Sequence, residues 1–199
     1  MLTNITFNLL GVLVFLFIFW KKLKEDYFPS LIFSTAFYML AGAFLGFAAS
    51  YFLLKSFWFW ALFSGICLGA LLGMLRLHLK PYEIIEAGVS SLLPWLGLIF
   101  FSDAATTSSL TSFVGGVITF LLIALNVFLD RHYKNFTWYS SGRIGFSGLT
   151  TLAVFFLLRA CLAIFAPSVL SFVKVETLIS GFLAILLTLS VYKLSRQKL

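Results

Sequence analysis

Seven apolar runs, each close to the length that crosses a bilayer and separated by short polar segments, leave few folds open to this chain. They cover Ile5–Trp20, Tyr27–Leu54, Phe57–Leu75, Ile84–Phe101, Leu110–Leu129, Gly145–Phe165 and Leu178–Tyr192. A membrane helix needs about 20 residues, and backbone amides in hydrocarbon must bond within their own segment, so each run is expected to be a transmembrane α-helix. With 61% hydrophobic and 11% charged residues, and a mean hydropathy of +1.06, the composition lies far beyond that of a water-soluble domain. The fold expected is an all-α polytopic integral membrane protein, one seven-helix domain over residues 1–199. The first run ends on Trp20-Lys21-Lys22. A cleaved leader carries its basic residues before the apolar run, so this one is read as a retained helix. Pro94 has no amide hydrogen to give and is expected to kink the fourth helix.

Orientation follows from where the lysines and arginines stand. Lys21, Lys22 and Lys24 follow the first span, Arg76 and Lys80 the third, Arg131, Lys134 and Arg143 the fifth, and Lys193, Arg196 and Lys198 the seventh. The alternate connections hold only Lys55 and Lys174. Basic residues favour the cytoplasmic side, so the N-terminus is expected outside and the C-terminus in the cytoplasm. The net charge of +7 has its origin in this asymmetry and does not point to nucleic acid.

Few side chains suggest chemistry. Cys67 and Cys161 lie in apolar spans, far apart in sequence, and are expected to behave as small hydrophobes. His78 and His132 stand at span ends without a second ligand at metal-binding spacing, so no metal or cofactor is expected. Gly42 and Gly46 on the second helix, and Gly65, Gly69 and Gly73 on the third, form small-xxx-small faces that allow close helix contact. Glu83 and Glu86 fall near the cytoplasmic end of the fourth helix, where solvent or Lys80 would balance them. Lys174 and Glu176 read as a pair at the outer surface. Arg159 stands apart, a guanidinium inside the sixth span with no charged neighbour in sequence. Such a residue costs at least a few kcal/mol at the bilayer centre unless it snorkels to the head groups or has a partner or a ligand.

In pattern, several stretches resemble the prolipoprotein diacylglyceryl transferases, which transfer a diacylglyceryl group from phosphatidylglycerol to a lipobox cysteine. Phe7-Asn8-Leu9-Leu10 with the apolar run to Lys21-Lys22-Leu23-Lys24 resembles the family's first helix. Gly42 to Tyr51 resembles its G-x-x-x-G-x-R-x-x-Y stretch, Lys80 to Trp95 the entry to its signature helix, and Phe155 to Arg159 its sixth helix, where an arginine lies at the lipid site. The chain departs from the family at Phe7, where a tyrosine is usual, and at Ala48, where an arginine is usual. It also departs at Trp60 to Ser64, which lacks the His-Gly-Gly, and after Pro94, where the Arg, Asn and Glu signature is missing. The polar residues after Asp103 stand where the family has an external head domain. The resemblance implies a multi-pass protein of the plasma membrane with Arg159 as its phospholipid-binding residue, phosphatidylglycerol as ligand and a prolipoprotein signal peptide as second partner.

Two functions follow from these readings. One is a divergent transferase, for which no catalytic residue is identified, because making a thiolate from a cysteine of pKa about 8.5 requires a base or a positive field. The other is a phospholipid-binding or assembly protein that performs no chemistry. A small transporter has less support, as the spans show no inverted repeat. Topology is tested by single cysteines, Ala105→Cys and Lys134→Cys, in a background lacking Cys67 and Cys161. An impermeant thiol reagent applied from outside should label position 105 and spare position 134; the opposite pattern inverts the topology.

Overall fold

The computed structural model describes residues 2–53, 57–136, 139, 144–165 and 173–196. Lys55, Arg143, Lys198 and the side chain of Lys174 lie outside the described residues. Seven α-helices follow one another: α1 Leu2–Leu23, α2 Pro29–Leu53, α3 Trp58–Leu77, α4 Pro81–Thr107, α5 Leu110–His132, α6 Phe146–Phe165 and α7 Val173–Arg196, with a 3₁₀ turn at Tyr133–Asn135 after α5. All seven are long and apolar enough to cross a membrane. No strand occurs among the described residues.

The helices outrun the apolar runs at several ends, for local reasons. Lys80 is extended and Pro81 occupies the first helical position, where its fixed φ and missing amide hydrogen are harmless, so α4 starts three residues before Ile84. At the other end, Asp103 and the polar residues after it are helical rather than a loop. The hydroxyls of Thr106 and Thr107 bond back to the carbonyls of Ser102 and Asp103 at 3.0 and 2.7 Å, as threonine does inside helices. The turn shrinks to left-handed Ser108 and to Ser109, whose hydroxyl caps α5 by accepting from the Ser112 amide. Helix α4 continues through Pro94. Helix α7 begins at Val173, not Leu178, which places Glu176 in its first turn.

Helix α4 is the central element and packs against α1, α5 and α6; the hairpins α2–α3 and α6–α7 make the two most extensive helix pairs. Phe15, Phe19 and Leu23 of α1 meet Ile32, Ala36 and Met39 of α2 and Ile84 and Ala87 of α4 in the largest buried cluster. A second cluster joins Phe59 of α3, Phe156 of α6 and Ala184 of α7. Large side chains such as Leu13, Phe37, Phe44, Leu68, Phe120 and Phe182 are exposed, the pattern of a surface solvated by acyl chains. Cys67 and Cys161 are exposed free thiols, and His78 and His132 are exposed at helix ends.

The α2–α3 contact is made by backbone. A methyl on Gly42 would strike the Gly65 carbonyl, one on Gly65 the Gly42 carbonyl, and one on Gly69 the Tyr38 carbonyl. Bilayers supply no hydrophobic force between helices, so this approach substitutes van der Waals contact for it. Gly42→Leu should therefore lower stability in detergent by at least the about 1–3 kcal/mol typical of overpacking, whereas Leu72→Ala on the exposed face of α3 should lower it far less. Thermal or denaturant unfolding of the two variants makes the comparison.

Candidate functional site

Two charged constellations lie at opposite ends of the bundle. The first contains Arg159. Fourteen residues into α6, it stands about 20 Å along the axis from the start of that helix. Because α7 runs back antiparallel, the first turn of α7 lies beside it. The Arg159 Nε donates to the Glu176 carboxylate, with the two side chains 11% and 0% exposed. The Trp60 indole of α3 donates to the other oxygen of Glu176 at 2.9 Å, and the Ser180 hydroxyl to the first at 3.2 Å. The guanidinium carbon sits 3.5 Å from the centre of the Phe59 ring, within cation–π range. Thus the arginine that looked isolated has a buried carboxylate partner, and Glu176, expected to pair with Lys174 at the surface, is instead inside the protein. Reading α6–α7 as an antiparallel hairpin would have brought the two together, since each lies a few residues from the connection.

The second constellation lies where α1 and α5 end and α4 and α6 begin. Glu86, one turn deeper into α4 than Glu83, is 4% exposed. Its carboxylate accepts the Gly148 amide at 2.6 Å and the Ser147 hydroxyl, both in the first turn of α6, where unpaired amides and the helix dipole favour a negative charge. A methyl on Gly148 would come within 2.8 Å of the Glu86 Cα, so a glycine there lets the start of α6 close onto α4. Lys22, in the last turn of α1, reaches Asp130 of α5 at 2.6 Å and Glu86 at 3.9 Å. Glu86, expected to be balanced by solvent or by Lys80, is instead buried against the start of α6. Lys80 pairs with Glu83 at 3.0 Å, and Glu83 also accepts the Tyr27 hydroxyl at 2.6 Å. Burial and the Glu83 bond hold the Tyr27 phenol above its ordinary value.

Between these elements lies a cavity of about 390 Å³ lined by Lys22, Glu86, Asp130, Arg131, Lys134 and Ser147, among others. A ladder of polar side chains continues from it into the bundle. The Thr151 hydroxyl donates to the Ser147 carbonyl at 2.7 Å, the Asn126 amide to Thr151 at 3.2 Å, and the Ser90 hydroxyl to Asn126 at 2.9 Å, linking α4, α5 and α6. An asparagine within an apolar span was the sequence signal for this network. Arg131 borders a second space as well, a groove of about 370 Å³ along α5 formed by Phe120, Ile123, Ala124, Val127 and Phe128. The charged cavity and this apolar groove share that arginine. No cluster of His, Cys, Asp and Glu able to hold a metal occurs among the described residues.

Comparison with known proteins finds no family model, no curated protein and no solved structure that matches the chain.

The Arg159 cluster behaves as a clamp between α3, α6 and α7. Removing one member of a buried pair leaves the other charge uncompensated, at a cost of about 3–5 kcal/mol, while an apolar replacement of both is close to neutral. Arg159→Met should therefore destabilise strongly, and adding Glu176→Leu should recover most of the loss in unfolding measurements. Additive losses would show that the two side chains act independently.

Proposed function

We propose that the protein is a phospholipid-binding membrane protein whose head-group site is the charged cavity between α1, α4, α5 and α6. The observation that carries this reading is the position of Arg131, which borders both the charged cavity and the apolar groove along α5. A phosphate at Arg131 places the polar part of a lipid in the cavity and an acyl chain against Val127, Ala124 and Phe120. Arginine suits that point because its planar fork matches phosphate oxygens. The exposed position of Arg131 on a lipid-facing helix lets a ligand enter sideways from the membrane. In this reading the protein is a multi-pass component of the plasma membrane, as its resemblance to the diacylglyceryl transferases implies.

Chemistry of the transferase kind is a weaker reading. Arg159 would have to bind the phosphate and a nearby group would have to take the thiol proton. Glu176 is the carboxylate at hand, but it is the same group that neutralises Arg159 and already accepts from Trp60 and Ser180. Freeing either side chain for a substrate breaks the pair that makes both tolerable in the membrane. Binding of lipid in the cavity requires no such sacrifice.

Native mass spectrometry of the protein extracted in mild detergent tests the proposal. Wild-type protein should retain phospholipid, and Arg131→Glu or Ala124→Trp should lose most of it, whereas Arg76→Glu, at the same end of the bundle, should keep it. Equal retention in all three variants would remove the cavity and groove as the site. Incubation with phosphatidylglycerol and a lipobox peptide should give no thioether; product that disappears in Arg159→Ala would establish the transferase reading instead.

A further inference from the structure

We propose that the α2–α3 hairpin is a hinged gate in the wall of the bundle, latched at one end by Phe59 and Trp60 and able to swing off α6 and α7 while the Arg159–Glu176 pair stays closed. The hairpin is built to move as one body. Gly42 faces Gly65, Gly46 faces Ala61 and Gly69 faces Tyr38, so closely that a methyl on any of these glycines would lie 2.1 Å from the opposite carbonyl oxygen. No lipid chain enters such a contact. Near Tyr27 the hairpin is tied to the rest of the protein. The Tyr27 hydroxyl donates to Glu83 at 2.6 Å and accepts the Lys80 amide at 3.1 Å, and Ile32, Ala36 and Met39 are buried against α1 and α4. Left-handed His78 and extended Lys80, at the end of α3, are the kind of terminal residues that absorb a hinge rotation.

At the other end the attachment is of a different kind. Beyond Gly42, α2 turns Phe44, Leu45, Phe47 and Phe52 to the surface. Helix α3 reaches α6 and α7 through side chains of its first two turns, without the backbone approach that it makes with α2. Trp60 stacks on Phe156 with ring centres 5.9 Å apart and donates its indole hydrogen to Glu176 at 2.9 Å, while the Phe59 ring faces the Arg159 guanidinium at 3.5 Å. A bilayer supplies no hydrophobic force between helices, and acyl chains can take the place of one aromatic neighbour against another. Opening therefore gives up chiefly one neutral hydrogen bond and one cation–π contact. It separates no ion pair, because Arg159, Glu176 and Ser180 all belong to α6 and α7 and keep their mutual contacts. The open gate admits membrane lipid to the faces of Phe63 and Phe156.

Double electron–electron resonance in lipid nanodiscs tests the gate, with spin labels attached in a background lacking Cys67 and Cys161. One pair, Phe47→Cys with Leu178→Cys, spans the latched end; the other, Phe33→Cys with Leu189→Cys, spans the end near Tyr27, and all four positions are exposed. Trp60→Phe keeps a ring on Phe156 but removes the indole donor. It should raise the longer-distance share of the first pair about two- to tenfold, the factor that one neutral hydrogen bond sets, and leave the second pair unchanged. Phe59→Leu removes the ring facing Arg159 and should act in the same direction, so the test survives if one of the two variants folds poorly. A single, unchanged distance for the first pair in the folded variants would overturn the gate. Equal lengthening of both pairs would overturn it too, since that marks loosening of the whole bundle and not rotation about a hinge.

Discussion

A charge placed in hydrocarbon must be matched inside the protein, and the arrangement of this bundle depends on that requirement. Arg159 is matched by Glu176 and by the face of Phe59. Glu86 is matched by the start of α6 and, at longer range, by Lys22. Each match joins helices distant in sequence, α3 with α6 and α7 at one end, α1 with α4, α5 and α6 at the other. Glycine faces bring α2 and α3 together by backbone contact, and these polar contacts add direction where other helices meet.

The two ends use this requirement differently. Around Arg159 the cluster is closed: the carboxylate accepts from three donors on three helices, and the aromatic rings of Phe59, Trp60 and Phe156 shield it. Around Glu86 the cluster is open: Lys22 lies between Glu86 and Asp130, and a cavity lined by further acidic and basic side chains lies beside them. Complete compensation yields a structural joint. The open cluster beside the cavity is where we propose that a lipid head group binds, and Arg131 borders both that cavity and the groove on α5.

Much of the fold was legible in the sequence because hydropathy acts locally: seven spans, their approximate limits and the glycine face between α2 and α3 all follow from residue type and spacing. Helix ends were less legible where proline or threonine chemistry extended a helix past its apolar run, as at Pro81 and Thr107. The sites were hidden for a different reason. Glu176 looked like a surface residue because it stands next to Lys174 near a span boundary, and only the antiparallel packing of α6 and α7 turns it toward Arg159. Glu86 looked like its neighbour Glu83, yet one turn of helix separates a side chain tied to Lys80 and Tyr27 from one sealed under the start of α6. Which residue across a helix interface supplies the partner is a tertiary fact that spacing along one chain does not carry.

The most direct measurement of the central claim is a structure of the protein in a lipid nanodisc of mixed phospholipids. A head group between Lys22, Asp130 and Arg131, with its acyl chain along Val127 and Phe120, is the result predicted, together with an intact Arg159–Glu176 pair. A head group bound at Arg159 with Glu176 turned away, and an empty cavity beside Glu86, would contradict it.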